Sequence, residues 1–265
     1  MIIDIRDKRV LITASTEGIG KGIARAFARE GCSLTITSRS QEKVRNTLEE
    51  LRQINKRVYG ITSDITNIST LKNLVDYAIN NMGGIDILII NTGNPPKEPA
   101  YFTETEISDW EYSLKLYLLG PIYLVMQVYP YMIKQRWGRI IFLSSWTVKE
   151  PQNIFSLADV SRAPLIQLSK ILSREFGKYN ITVNTVLMGS FETPGAKRTL
   201  QKLAERLGVD FNELWNKYVI SQSALLRTGD IEKELGSLLI YLSSDYGSYI
   251  TGSYILIDGG TTHSI

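Results

Sequence analysis

Val10-Leu-Ile-Thr-Ala-Ser-Thr-Glu-Gly-Ile-Gly20 runs from an apolar, strand-like segment directly into a helical one. Ile19, Ile23 and Phe27 then recur on one helical face, up to a stop at Gly31. The turn between strand and helix carries Gly18 and Gly20. Lacking Cβ atoms, these would let a dinucleotide pyrophosphate approach the backbone and the positive helix N-terminus. The ordinary G-x-G-x-x-G spelling is absent, because Ile23 stands where the third glycine would fall. A tight strand-to-helix turn without a ligand is the competing reading.

Outward from this unit the same alternation repeats. Strand-like runs fall at Val10–Thr13, Ser33–Thr37, Val58–Ile61, Ile85–Ile90, Arg139–Leu143, Ile181–Val186 and Tyr254–Ile257. Several are nearly continuous in apolar residues, as strands covered on both faces should be. Helical patterns between them predict an α/β, doubly wound parallel sheet with right-handed crossovers. Two regions break the rhythm. Residues 103–136 read as one long helical segment with a weak point at Gly120-Pro121. Residues 194–226 form an excursion with an amphipathic stretch (Leu200, Leu203, Leu207) and a capping box from Asp210 to Glu213. Such an excursion at a strand's carboxyl end suits a lid, with Leu214, Trp215 and Tyr218 as its apolar surface; the plainer reading is that they pack the helix down.

No repeat or linker divides the 265 residues, so a single domain over 1–265 is expected, and 43% hydrophobic residues suffice for one large core. The net charge of +3 is small and the charges are mixed, which argues against nucleic acid as a partner. The single cysteine, Cys32, opens an apolar run and reads as a buried thiol in a reducing compartment. Charges appear too early for a signal peptide, and no apolar stretch is judged long enough to cross a bilayer. A cytoplasmic protein without a membrane partner is therefore expected. No metal-ligand cluster is present in the sequence.

The ends of the first four strands carry a nucleotide-binding set. Thr13, Ser15, Thr16, Gly18, Ile19 and Gly20 follow the first. Ser38 and Arg39 close the second, where NAD-binding sites usually place an acid and where an arginine can pair with a 2′-phosphate, so NADP(H) is favoured over NAD. Asp64, with Ile65, closes the third and could accept from an adenine amino group. Asn91, Thr92 and Gly93 close the fourth, suiting close approach to a ribose.

In this order these residues resemble the short-chain dehydrogenase/reductase family. Its Thr-Gly-x-x-x-Gly-x-Gly motif is similar to Thr13 through Gly20, with Ala14 for the first glycine. Its Asn-Asn-Ala-Gly is similar to Ile90-Asn-Thr-Gly93. Its Pro-Gly-x-x-x-Thr is similar to Met188-Gly189-Ser-Phe-Glu-Thr193, which adds Gly189, Phe191 and Thr193 to the expected cofactor contacts. The C-terminal Asp258-Gly-Gly260 completes a resemblance running from about residue 6 to 260. It implies a Rossmann-like sheet of seven parallel strands, NAD(P) as cofactor, and a homotetramer or homodimer.

The resemblance also implies an Asn, Ser, Tyr and Lys tetrad, in which the tyrosine protonates a carbonyl as hydride arrives. Ser145 matches the serine, but the tyrosine position falls on Ala158, the lysine position on Arg162 and the asparagine position on Tyr117. Arg162 can still donate to a ribose and keeps a positive charge, but it cannot relay a proton. Tyr117 is either a substitute general acid beside Ser145 and Arg162 or a filler of the space left by Ala158. Asp159 reads as a solvated residue at the start of the next helix, and Pro164 as first-turn proline of a helix beginning just before it. His263 reads as part of a frayed tail. Pro95, Pro96, Trp146, Phe155 and Phe191 would line a pocket for an apolar carbonyl substrate. Two functions remain open: an NADP(H)-dependent oxidoreductase of carbonyl/alcohol pairs, and a nucleotide-binding relative with little catalysis, used in sensing or assembly.

Overall fold

The computed structural model describes residues 3–264. Seven strands, β1 (Arg9–Ile12), β2 (Ser33–Ser38), β3 (Val58–Thr62), β4 (Ile87–Ile90), β5 (Gly138–Ser145), β6 (Ile181–Met188) and β7 (Tyr254–Ile257), form one sheet in the order β3-β2-β1-β4-β5-β6-β7. Every neighbouring pair is parallel. The order reverses between β1 and β4, so a crevice opens there at the carboxyl ends of the strands.

Alternate residues of β1 feed opposite cores. Val10 and Ile12 join Ile23 and Phe27 of α1 (Gly18–Arg29), whereas Leu11 joins Leu71 and Leu74 on the other face. Helices α2 (Gln41–Ile54) and α3 (Ile68–Met82) complete the crossovers of this half. All these side chains are buried, which explains why the strands read as continuous apolar runs.

The long segment of the second half is α4 (Ile107–Leu114), a π-helical turn at Lys115–Leu119, and α5 (Gly120–Gln135). The irregular turn ends at the predicted weak point, where Pro121 has no N–H for the regular ladder. Gly120 is required there by packing, since a Cβ would stand 2.4 Å from the Ile65 carbonyl oxygen. Contrary to the expectation from the sequence, the 29-residue helical segment Ile107–Gln135 is long and apolar enough to cross a membrane, with mean hydropathy 1.3 over an 18-residue stretch of it. Leu124, Val125, Val128 and Met132 are nevertheless buried in the second core, as in a core helix of a folded domain. Ile107 and Met126 remain exposed, at 77% and 57%.

Two further helices, α6 (Ser156–Arg162) and α7 (Pro164–Phe176), follow β5, and Pro164 takes the first position of α7, the first-turn place expected for it. The excursion folds as α8 (Pro194–Leu207) and α9 (Phe211–Trp215), before α10 (Ser237–Ser243) leads to β7. Leu200, Leu203, Leu214 and Val219 pack with Ile154, while Leu207 of the expected apolar stripe is exposed. Asp210 caps α9, accepting from the N–H groups of Asn212 and Glu213. The tail is tied down: the N–H groups of His263 and Ser264 donate to Glu150 Oε1 at 2.5 and 2.6 Å.

Ala14, where the resembling family has glycine, holds φ +46° in the left-handed region. That conformation strains an alanine by about 1–2 kcal/mol, partly offset by the greater chain entropy of glycine. Ala14→Gly is therefore expected to raise unfolding free energy by about 0.5–1 kcal/mol in a urea titration; no gain would remove the strain argument.

Candidate active site

A cleft of about 630 Å³ opens at the sheet's carboxyl edge, walled by the β1–α1 turn, the ends of β2 to β6, and α8. Thr13 ties its floor together, donating from Oγ1 to the Asn91 carbonyl (2.6 Å) and accepting from Asn91 N–H (2.9 Å). Asn91 Nδ2 donates to the Ala14 carbonyl at 3.0 Å. Thr16, Gly18 and Ile19 line the cleft, and the Glu17 side chain does not cap α1. The first-turn N–H groups of α1 are thus left for an anion.

Two expected cofactor contacts are structural instead. Ser15 is fully buried, donating to the Ile12 carbonyl (2.7 Å) and accepting from Thr37 N–H (2.9 Å), so it staples β1 to β2. Gly20 brings α1 against the strand: a Cβ there would lie 2.2 Å from the Ala14 carbonyl oxygen and 2.7 Å from Asn91 Nδ2.

The remaining predicted positions, Ser38, Arg39, Asp64, Ile65, Thr92, Gly93, Gly189, Phe191 and Thr193, all line the cleft. Arg39 is exposed and donates to the Tyr112 hydroxyl at 3.1 Å. Asp64 Oδ1 accepts from Thr66, and Thr193 Oγ1 caps α8 by accepting from Ala196 N–H. Lys43 and Arg198 were not foreseen. Both pair with Glu17, and the Lys43 hydrogen bond followed by Arg198 holds that carboxyl below the usual carboxylate range.

The inner end is organised around Ser145. Its Oγ accepts from Thr147 N–H (3.2 Å) and lies 2.9 Å from Thr147 Oγ1. Thr147 Oγ1 also hydrogen-bonds Asp159 Oδ1 and accepts from Arg162 Nη2 at 2.8 Å. Asp159 is not a solvated helix-start residue. Its side chain is 1% exposed, pairs with Arg162 at 2.8 Å, and accepts from Gln152 N–H at 2.9 Å. The sequence hinted at this through the i,i+3 spacing of Asp159 and Arg162, but the Thr147 link depends on the β5–α6 connection.

Tyr117 takes the packing role rather than the acid role. It is 3% exposed, clusters with Leu116 and Ala158, is absent from the cleft wall, and stacks under the Arg162 guanidinium at 5.6 Å. Burial pushes its phenol further above the ordinary value, which makes it a poorer proton donor.

Glu98, unforeseen, enters the wall from the loop after β4. It is 4% exposed, and Oε1 accepts from Ala158 N–H at 2.6 Å. Burial pushes its carboxyl up to about 7, against the Ala158 N–H and Arg162, which pull it down, and with Asp159, which adds to the rise. No sequence signal marked it, since a loop acid acquires this environment only through tertiary packing.

A nicotinamide dinucleotide fits these residues. The uncapped α1 N-terminus suits a pyrophosphate, and Arg39 with Lys43 flank the end of β2. Arg162 Nε is buried without a hydrogen-bond partner among the described residues, so the guanidinium has donors to spare. Those residues contain no group of His, Cys, Asp and Glu arranged to hold a metal.

A doubly wound parallel sheet with such a cleft at its switch point defines a Rossmann-like dinucleotide-binding fold. The chain matches the short chain dehydrogenase family over residues 8–204. It is 32% identical over 264 residues to the 3-oxoacyl-(acyl-carrier-protein) reductase FabG of Aquifex aeolicus, covering 98% of this chain and 99% of that protein. It is 28% identical over 267 residues to the uncharacterized oxidoreductase YvrD of Bacillus subtilis, covering 100% of both. The L-sorbose reductase of Gluconobacter frateurii, solved with NADPH and L-sorbose, superposes with TM-score 0.93 at 26% identity over 100% of both chains. The chain belongs to the short-chain dehydrogenase family of oxidoreductases.

Proposed function

We propose that this protein is an NADP(H)-dependent oxidoreductase that interconverts a carbonyl and an alcohol on an apolar substrate. The observation that carries the reading is Ser145, fixed by Thr147 and the buried Asp159–Arg162 pair at the inner end of the nucleotide cleft. The reduced nicotinamide, when bound, supplies hydride to the carbonyl carbon. Ser145 would hold the carbonyl oxygen, Arg162 would hold the ribose, and Trp146, Phe155, Trp215 and Tyr218 would exclude water around the substrate. The apolar residues left exposed on α4 and α5, Ile107 and Met126 among them, support self-association as a homodimer or homotetramer.

NADPH oxidation followed at the nicotinamide absorbance against a broad carbonyl panel tests the reading, with nucleotide binding measured separately by thermal shift. The substitution of Ala158 at the tyrosine position favours a second reading, nucleotide binding without turnover; binding with no carbonyl reduced would establish it. For the NADP(H) preference, Arg39→Ala is expected to weaken NADPH binding about tenfold while leaving NADH unchanged, because one charge-assisted contact is lost. Equal weakening of both nucleotides in isothermal titration would contradict the 2′-phosphate role.

A further inference from the structure

We propose that Glu98 is the general acid of this active site, giving its carboxyl proton to the substrate's carbonyl oxygen. The inference rests on the oxidoreductase reading and specifies how its reaction is completed. Reduction of a carbonyl requires a proton as well as a hydride, and the groups around Ser145 leave few sources. Arg162 stays protonated throughout and cannot give one up. Asp159 has both oxygens engaged, by Arg162, Thr147 and Gln152, and does not line the cleft. Tyr117 is buried behind Ala158. Tyr112 lines the cleft, but its hydroxyl lies 3.1 Å from Arg39, the residue that closes β2, and no hydrogen bond links it to Ser145 or its partners among the described residues.

Glu98 differs from all of these. Oε1 is fixed by Ala158 N–H, whereas Oε2 has no hydrogen-bond partner among the described residues, although the residue is 96% buried and forms part of the cleft wall. The charged and titratable groups that bear on it are Arg162 and Asp159 of α6, with Tyr117 on the helical segment opposite. Burial outweighs the pull of Arg162 and holds the carboxyl up to about 7, so both protonation states are available near neutral pH. In the reduction, the carbonyl carbon gains the hydride that the cofactor supplies, and the oxygen takes the proton from Glu98 as the O–H bond of the acid breaks. The products are the alcohol, oxidised nucleotide and Glu98 carboxylate, which regains a proton from water. In the oxidative direction the carboxylate accepts the alcohol proton.

The plainer role for Glu98 is to cap the start of α6 through Ala158. Glu98→Gln separates the two, since an amide oxygen still accepts from that N–H but the group has no acidic proton. With a carbonyl that the wild type reduces, E98Q should lose about 10²–10⁴-fold in kcat, with KM and NADPH affinity within threefold of wild type. Wild-type kcat for reduction should fall above a pKa near 7, and E98Q should lack that limb. Glu98→Asp should recover part of the rate. Independently of turnover, ¹³C-carboxyl NMR of the nucleotide-free wild type should show one glutamate titrating near neutrality, absent from E98Q. Unchanged kcat in E98Q while the wild type turns over would overturn the acid role and leave the oxidoreductase reading standing. Glu98 titrating in the ordinary carboxylate range would do the same. A wild type that binds NADPH and reduces no carbonyl would overturn both.

Discussion

Asp159→Ala is expected to cost about 3–5 kcal/mol of unfolding free energy, the largest effect of any single substitution at this site. Its carboxylate is 1% exposed, and one oxygen is shared by Arg162 and Thr147 while the other accepts from Gln152 N–H. Truncation leaves the Arg162 charge 17% exposed with its partner gone, and Arg162 Nε is already buried without one. An uncompensated buried cation is far more costly than a missing ion pair. The double variant Asp159→Ala, Arg162→Met should therefore recover at least half of the loss, although two side chains are changed instead of one. Urea titration of the two single variants and the double variant decides it. A loss below 1 kcal/mol in Asp159→Ala, or strict additivity in the double, would mean that the pair is a solvated contact. The functional consequence follows from the same chain of contacts. Thr147 holds Ser145, and Asp159 holds Thr147, so its loss should also release the Ser145 hydroxyl from its fixed direction.

This dependence of Ser145 on Asp159 also marks what the sequence could convey. The strands were legible because a parallel strand covered on both faces must be apolar through its middle, as β4 is throughout and as β1 and β5 are over Val10–Ile12 and Ile140–Leu143. Most of the cleft lining was legible for a related reason: strand ends in this architecture face one crevice, so Arg39, Asp64 and Asn91 had only one place to go. Ser15 and Gly20 were misread because their residue types suit a phosphate loop and a tight strand–helix contact equally well. Only the 2.2 Å approach to the Ala14 carbonyl decides for Gly20. Tyr117 and Glu98 were beyond the sequence for a deeper reason. Whether a phenol or carboxyl can give up a proton depends on the packing around it, and here one helix buries Tyr117 while a loop carries Glu98 to the cleft wall.

The buried Glu98 carboxyl should also appear as a pH-dependent weakness in the fold, with a definite sign. Its ordinary value is 4.5 and burial raises it to about 7, so between those values the folded chain binds more protons there than the unfolded chain. Stability from this group is then fully present below about pH 4.5 and is lost as pH rises through 7, the reverse of a salt-bridged carboxylate. A rise of this size corresponds to about 3 kcal/mol at complete ionisation. Other groups titrate over the same range, so the measurable quantity is the difference between wild type and Glu98→Gln, which keeps the Ala158 contact and carries no charge. At pH 4 the two should be nearly equal in urea titrations. By pH 8.5 the wild type should have lost about 3 kcal/mol relative to the variant. A difference that stays flat across this range would mean that the carboxyl is solvated in the folded chain, and a difference of opposite sign would mean that Arg162 has captured it as an ion pair. That direction is the one the proposed acid role of Glu98 requires, since the role needs the carboxyl protonated near neutral pH. A charge that weakens the native state at neutral pH persists only where the surrounding structure holds it in place. Here the Ala158 N–H supplies that constraint at the cleft wall.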